Sequence, residues 1–242
     1  MKTVIISAYF QFKSKKPHKD YVFYLQRFFR SIRTKTFFFT TPTLIEEIKG
    51  WNFNNENIEF IPMEIEEWKA WKLGREFWQR QKERDPEPYH TPELGAIWYE
   101  KKMFVERVMQ FFEADLYVWC DAGCVRDDIA ENSLQNFGKR NIHFNDNCIH
   151  FQQINHSEKK DFYRFPYSKI AGAIIAGNKK AWQDYIQLYN VILEKYDNAR
   201  VTCMSDQYIS LSCYDMNPSL CKLHLYNPSS KIDKWFFFLE IL

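Results

Sequence analysis

The chain has 242 residues, with 33 Lys plus Arg against 31 Asp plus Glu and a formal charge of +2. So even a balance excludes a dedicated nucleic-acid binder, whose affinity rests on excess basic charge. A chain of this length buries roughly three-quarters of its unfolded surface and needs no disulfide staples. No seam, repeat or low-complexity segment divides it, so a single domain is expected over residues 1–242. The six cysteines include no CxxC pair and read as free thiols in a reducing, cytoplasmic compartment.

Residues 3–10 read as a first strand, not a signal peptide, with Ser7, Ala8 and Tyr9 near its end. Residues 20–32 follow as an amphipathic helix, with Val22, Leu25, Phe28, Phe29 and Ile32 at helical spacing. Between them Lys13, Lys15, Lys16, His18 and Lys19 form a basic patch, read first as a solvated loop and second as a phosphate contact. Residues 36–40 form a second strand, and residues 58–61 a third. The helix between these two strands is expected to be capped by Thr43, with Glu46 completing a capping box. Strands alternating with helices imply parallel pairing with right-handed crossovers. Residues 64–84, rich in charge and tryptophan, are predicted helical up to Asp85-Pro86-Glu87-Pro88. Thr91-Pro92-Glu93 opens a helix that runs to about Phe112, with threonine at the cap and proline in the first turn.

Tyr117-Val118-Trp119-Cys120 then reads as a buried strand that ends in Asp121-Ala122-Gly123. Ligands of open α/β sheets bind outside the carboxyl ends of the strands. A carboxylate there suits a divalent metal or a ribose hydroxyl, and Gly123 would let the backbone turn and approach a ligand. Arg126 offers a bidentate fork to phosphate, or an ion pair to Asp127 or Asp128. Residues 141–165 are polar, and His143, His150 and His156 within them match no compact zinc pattern. Residues 170–176 are an apolar run bracketed by Gly172 and Gly177. Helices are expected over 181–196 and from Ser205-Asp206, and a short strand over 223–225. No stretch reaches the roughly 18 apolar residues of a membrane span. The aromatic end at 235–239 reads as a docked segment, with peripheral membrane contact as the alternative.

Several motifs in order carry a resemblance. They are Ser7-Ala8-Tyr9, Ile97-Trp98 with Glu100-Lys101, the W-x-D-x-G-x-x-R element from Trp119 to Arg126, the double-glycine strand, Asp206-Gln207 and Trp235-Phe236. Together they resemble the HtrL/YibB-like (WlaTC-type) glycosyltransferase family over most of the chain. The resemblance implies a GT-A type fold, a Rossmann-like α/β architecture with a mixed, mostly parallel sheet flanked by helices on both faces. Residues 1–128 would form a nucleotide-binding half and 129–242 an acceptor half. It further implies a hexosyl- or pentosyltransferase that uses a nucleoside diphosphate sugar, first a UDP-sugar, and a glycan or other hydroxyl acceptor.

On this footing Ser7, Ala8, Tyr9, Trp98, Lys101, Asp121, Ala122, Gly123, Arg126, Gly172, Gly177 and Gln207 are candidate nucleotide-sugar contacts. Asp206 is the candidate catalytic carboxylate, or alternatively a helix cap. Asp121 and His224 are candidate ligands of Mn2+ or Mg2+ that would neutralise the leaving diphosphate. Gly123 stands where an Asp-x-Asp motif has its second acid, so a metal would depend on Asp121. A non-catalytic nucleotide-sugar or glycan binder is the competing function. A sugar nucleotidyltransferase ranks last, because no glycine follows the first strand between Ser7 and Lys19.

Overall fold

The computed structural model describes residues 1–13, 16–51, 54–138, 144, 146–155 and 170–242. Among them are β1 (Thr3–Ala8), β2 (Thr36–Thr40), β3 (Ile58–Pro62), β4 (Leu116–Cys120), β5 (Ile149–Gln153), β6 (Ile170–Gly177) and β7 (Cys221–Leu225). They form one sheet in the order β3-β2-β1-β4-β6-β5-β7. The β1–β2, β2–β3, β1–β4 and β5–β7 pairs are parallel; β6 runs antiparallel to both its neighbours. The expected alternation of the first sixty residues therefore gives the parallel half of the sheet.

Because strand side chains alternate between faces, the apolar runs feed two cores. Ile6, Phe39 and Trp119 face a layer made by α3 (Arg75–Arg84), α4 (Pro92–Met109), α6 (Lys179–Asn198) and α7 (Asp206–Met216), with Trp78, Phe104, Tyr185 and Ile209 in it. Ile5, Phe38 and Val118 face α1 (His18–Ser31), α2 (Pro42–Lys49), α5 (Asp128–Gln135) and α8 (Phe238–Ile241), with Phe28, Ile48, Leu134 and Phe238 in that layer. Burying the strands on both faces is why they read as continuous apolar segments.

The structure corrects the sequence at four places. Thr41, not Thr43, caps α2, accepting from Leu44 N at 3.3 Å. Pro42 sets the first helical position two residues earlier than the Thr43-x-x-Glu46 pattern suggests. The stretch 64–84 is not one helix. Two 3-10 turns, Ile65–Glu67 and Lys69–Leu73, precede α3, and Gly74 separates them from it with φ +93°, a conformation that favours glycine. The buried carboxylate of Glu100 holds the second turn by accepting from Lys69 N at 3.0 Å and Ala70 N at 2.8 Å. Finally, α4 ends at Met109, and the polar stretch after 141 contains β5. His143 and His156 of that stretch, like Lys15, lie outside the described residues.

The polar face of β5 is buried because the chain's end satisfies it. Gln152 accepts from Phe238 N at 2.8 Å and donates to Trp235 O at 3.2 Å. The aromatic segment 235–239 is accordingly docked, with Phe236, Phe237, Phe238 and Leu239 buried. Among the described residues no helix is long and apolar enough to cross a membrane. All six cysteines are free thiols.

At the β5–β7 edge His150 donates Nε2–H to Asp146 at 2.7 Å, which leaves Nδ1 to accept from His224 Nε2 at 2.8 Å. Burial, aided by the charges of His150 and Lys222, pushes His224 from 6.5 down to about 4. Between those values the unfolded chain binds the proton better, so acidification removes stability there. Glu100, pushed up to about 7 by burial, acts in the opposite sense, so the informative quantity is a difference. The melting temperature of wild type is expected to fall more steeply from pH 7 to pH 4.5 than that of His224→Gln. Parallel melting profiles for the two proteins would refute this.

Candidate functional site

The strand order reverses beside β1, which leads to β2 and β3 on one side and borders β4 on the other. Such a switch point leaves a crevice outside the carboxyl ends of the two strands. Here it is a cleft of about 680 Å³, within the usual size of small-ligand sites.

Asp121 continues β4 into the cleft, its N–H donating to Ala173 O at 2.8 Å. Trp119, two residues earlier, lies on the same face and donates Nε1–H to Asp121 Oδ1 at 2.7 Å. The carboxylate is thereby aimed into the cleft with 35% of the side chain exposed. Leu94, Ile97, Trp98 and Lys101 all line the opposite wall. Their i, i+3, i+4, i+7 spacing puts them on one face of α4.

Lys101 is not the surface lysine that its helix position suggests, because only 6% of it is exposed. Its ammonium donates to Gly172 O at 2.9 Å and lies 3.0 Å from Asp206 Oδ2 and 3.2 Å from Asp121 Oδ1. Burial works against its charge, but the two carboxylates outweigh it and hold the lysine above its ordinary pKa. Burial pushes the Asp121 carboxyl up; the Lys101 ammonium opposes that and the Asp206 charge adds to it.

Asp206 is the first residue of α7, so the helix dipole favours its charge. It does not cap the helix; Ser205 holds the N-cap position and makes no side-chain capping bond. The Asp206 carboxylate is buried below the cleft and reaches it through Lys101, whose ammonium lies against its Oδ2. A Cβ at Gly172 would come 2.7 Å from that oxygen. The space above Gly172 therefore belongs to Asp206, not to a sugar ring.

The remaining wall comes from the end of β1 and the start of α1. Tyr9 O–H bonds His18 Nδ1 at 2.7 Å, and its ring stacks on His18 and tilts against Tyr21. Lys13 and Lys16 of the basic patch also line the cleft. Arg126 donates to Gly123 O at 3.3 Å and spreads over the Phe236 ring at 4.6 Å. The acids considered as its partners are engaged elsewhere. Asp127 caps α5 by accepting from Ala130 N at 2.8 Å, and Asp128 pairs with Arg27 at 2.8 Å.

Eight of the candidate nucleotide-sugar contacts thus line one cleft: Ala8, Tyr9, Trp98, Lys101, Asp121, Ala122, Gly123 and Arg126. Gly172 and Asp206 lie directly beneath it. The structure does not bring the others there. Ser7 is fully buried within the sheet, and Gln207 lies on α7 away from the cleft wall. Gly177 pairs with Tyr117 at the far end of β4, where a Cβ would meet Ile149 Cδ1 at 2.6 Å. His224 lies on β7, three strand spacings from β4, or about 14 Å, and bonds His150 of β5. Gly123 has φ −84° and needs no glycine for its turn, but a Cβ there would point towards Tyr21 at 3.8 Å, across the cleft.

Sequence reasoning missed Tyr21, Leu94, Ile97, Trp119 and Phe236 as lining residues. The helical spacing from Trp98 and Lys101 would have found Leu94 and Ile97. The strand alternation from Asp121 would have found Trp119.

The donor set does not fit a resident divalent cation. Hard cations take about six oxygens, whereas among the described residues Asp121 is the one carboxylate that opens into the cleft. Gly123 supplies no second acid, His224 is remote, and Lys101 sits between Asp121 and Asp206. Among the described residues no group of three or more His, Cys, Asp or Glu side chains is arranged to hold a metal.

The sheet order, the two helical layers and the cleft at the switch point define a GT-A type glycosyltransferase fold. The chain is similar to apo mouse xyloside xylosyltransferase 1, with 9% identity, a TM-score of 0.52, and coverage of 91% of this chain and 84% of that one. A glycosyltransferase involved in glycosylation of the major capsid of PBCV-1 covers 98% of this chain and 88% of its own, at 9% identity and a TM-score of 0.46. No curated protein matches the sequence. The family model described as "Bacterial protein of unknown function (HtrL_YibB)" matches residues 24–240, and the chain belongs to that family.

Gly172→Ala is expected to lower stability by about 1–3 kcal/mol, the cost of overpacking against a buried group, as read by urea denaturation. A midpoint equal to wild type would mean that the Asp206 carboxylate moves away freely.

Proposed function

We propose that this protein is a glycosyltransferase that moves a sugar from a nucleoside diphosphate sugar, a UDP-sugar first among donors, to a hydroxyl of a glycan or other acceptor. The proposal includes the WlaTC-type affiliation suggested by the sequence motifs. The observation that carries it is Asp121, held by Trp119 at the carboxyl end of β4 and facing a cleft at the switch point of a GT-A type sheet.

The walls suit the parts of such a donor. Tyr9, His18 and Tyr21 present aromatic faces for a base, and the exposed oxygen edge of Asp121 suits a ribose or sugar hydroxyl. Arg126 and Lys13 stand near the same space for phosphate oxygens. Sugar transfer leaves negative charge on the departing diphosphate, so cationic groups fixed along its path stabilise the transition state more than the ground state. Asp206 belongs to this scheme as a positioning residue, because it touches the cleft through Lys101. The acceptor must also give up its hydroxyl proton.

The test is a panel of nucleotide-sugars titrated against wild type and Asp121→Asn, with donor hydrolysis followed in parallel. Asp121→Asn is expected to bind about tenfold to a hundredfold more weakly, the worth of a hydrogen bond to a charged group. Equal affinity in both proteins would remove Asp121 from the site. Donor binding without hydrolysis or transfer to any acceptor would favour the non-catalytic binder instead. Gly123→Ala should stay within about 0.5 kcal/mol of wild-type stability yet bind the donor less tightly, because its new methyl group enters the cleft; unchanged binding would place the ligand elsewhere.

A further inference from the structure

We propose that Lys101 is the built-in cation of this site, its ammonium serving in place of a divalent ion so that the donor is bound and its leaving diphosphate stabilised without metal. This proposal rests on the glycosyltransferase assignment above and specifies how that site handles charge.

The geometry is that of a cation in an oxygen shell. Three separate elements converge on one nitrogen: Asp121 at the end of β4, the Gly172 carbonyl in β6 and Asp206 at the start of α7. A metal bridging Asp121 and Asp206 would have to displace this ammonium, which is nearly enclosed by its partners. Gly172 carries no side chain, which leaves room for Asp206 to approach Lys101 from below. Trp119 holds the other side by fixing Asp121 Oδ1. Lys101 nevertheless lines the cleft, which brings its side chain beside the ligand space.

The surroundings complete the balance. A lone ammonium between two carboxylates would leave the site negative and repel a diphosphate. Arg126, Lys13 and Lys16 also line the cleft, so among the described residues its cations outnumber the two acids. Their positive charge requires no dissociable ion. In the transfer step the bond between the anomeric carbon and the diphosphate oxygen breaks, and its electron pair leaves with the diphosphate. The acceptor oxygen forms the new bond and loses its proton to solvent. Lys101 exchanges no atoms and acts through its charge.

UDP is titrated into wild type in EDTA and again with Mn2+, with binding read by calorimetry. The dissociation constant is expected to be the same in both, and donor hydrolysis is expected to persist in EDTA. Lys101→Met alone would leave Asp121 and the buried Asp206 without their shared cation, so the informative variant is Lys101→Met combined with Asp206→Asn, with its fold checked by near-ultraviolet circular dichroism. It is expected to bind UDP in EDTA about a hundredfold more weakly, the scale of losing a charge-assisted contact to phosphate. Binding by wild type that disappears in EDTA and returns with Mn2+ overturns the proposal but leaves the glycosyltransferase assignment standing. A folded double variant that binds as wild type also overturns it. Wild type that binds no member of the nucleotide-sugar panel in either condition overturns both.

Discussion

A buried ammonium held between two carboxylates organises this molecule's candidate site. Removing a charge from water costs several kcal/mol unless partners compensate it. Lys101 meets that demand with Asp121, Asp206 and the Gly172 carbonyl, which join α4, β4, β6 and α7 around one atom. Each partner is in turn fixed. Trp119 orients Asp121, the start of α7 favours the Asp206 charge, and the absence of a side chain at Gly172 makes the approach feasible. The arrangement is a constraint as much as a contribution, since deleting any one member leaves a buried charge or an empty contact.

The sheet supplies the frame for that cluster. Parallel pairing of β1 with β2 and β4 places two strand ends side by side at the switch point. The antiparallel entry of β6 beside β4 then brings Gly172 under the same opening. Packing on both faces makes the frame stiff. Phe104 stacks with Trp119 beneath the cleft, and Phe236 from the docked end of the chain lies under the Arg126 guanidinium. The cleft is therefore walled by residues far apart in the sequence, from Ala8 to Phe236.

Much of this was legible in the sequence wherever the physics is local. The apolar runs of β1, β2, β4 and β6 announce strands buried on both faces, and Thr91-Pro92 announces the start of α4. The acid directly after Trp119-Cys120 marks a strand end that faces a ligand crevice. The illegible parts share one cause, which is a partner far along the chain. β5 looks like a polar loop because His150 and Gln152 are satisfied by Asp146, His224 and the C-terminal backbone. Glu64 to Arg84 looks like one helix because nothing nearby shows that Glu100 captures Lys69 and Ala70.

By itself, then, the sequence determined the alternating α/β layout, the strand that presents Asp121 and the helix face that carries Trp98 and Lys101. These follow from periodicity, end signals and side-chain type, which act over a few residues. Tertiary structure alone decided that Lys101 is buried and not solvated, that Gly172 makes room for a carboxylate and that His224 pairs with another imidazole. Lys101 and the carbonyl it binds are 71 residues apart. Only chain folding sets such a distance, because a lone charge, a glycine or a histidine carries no local signal of what it will meet.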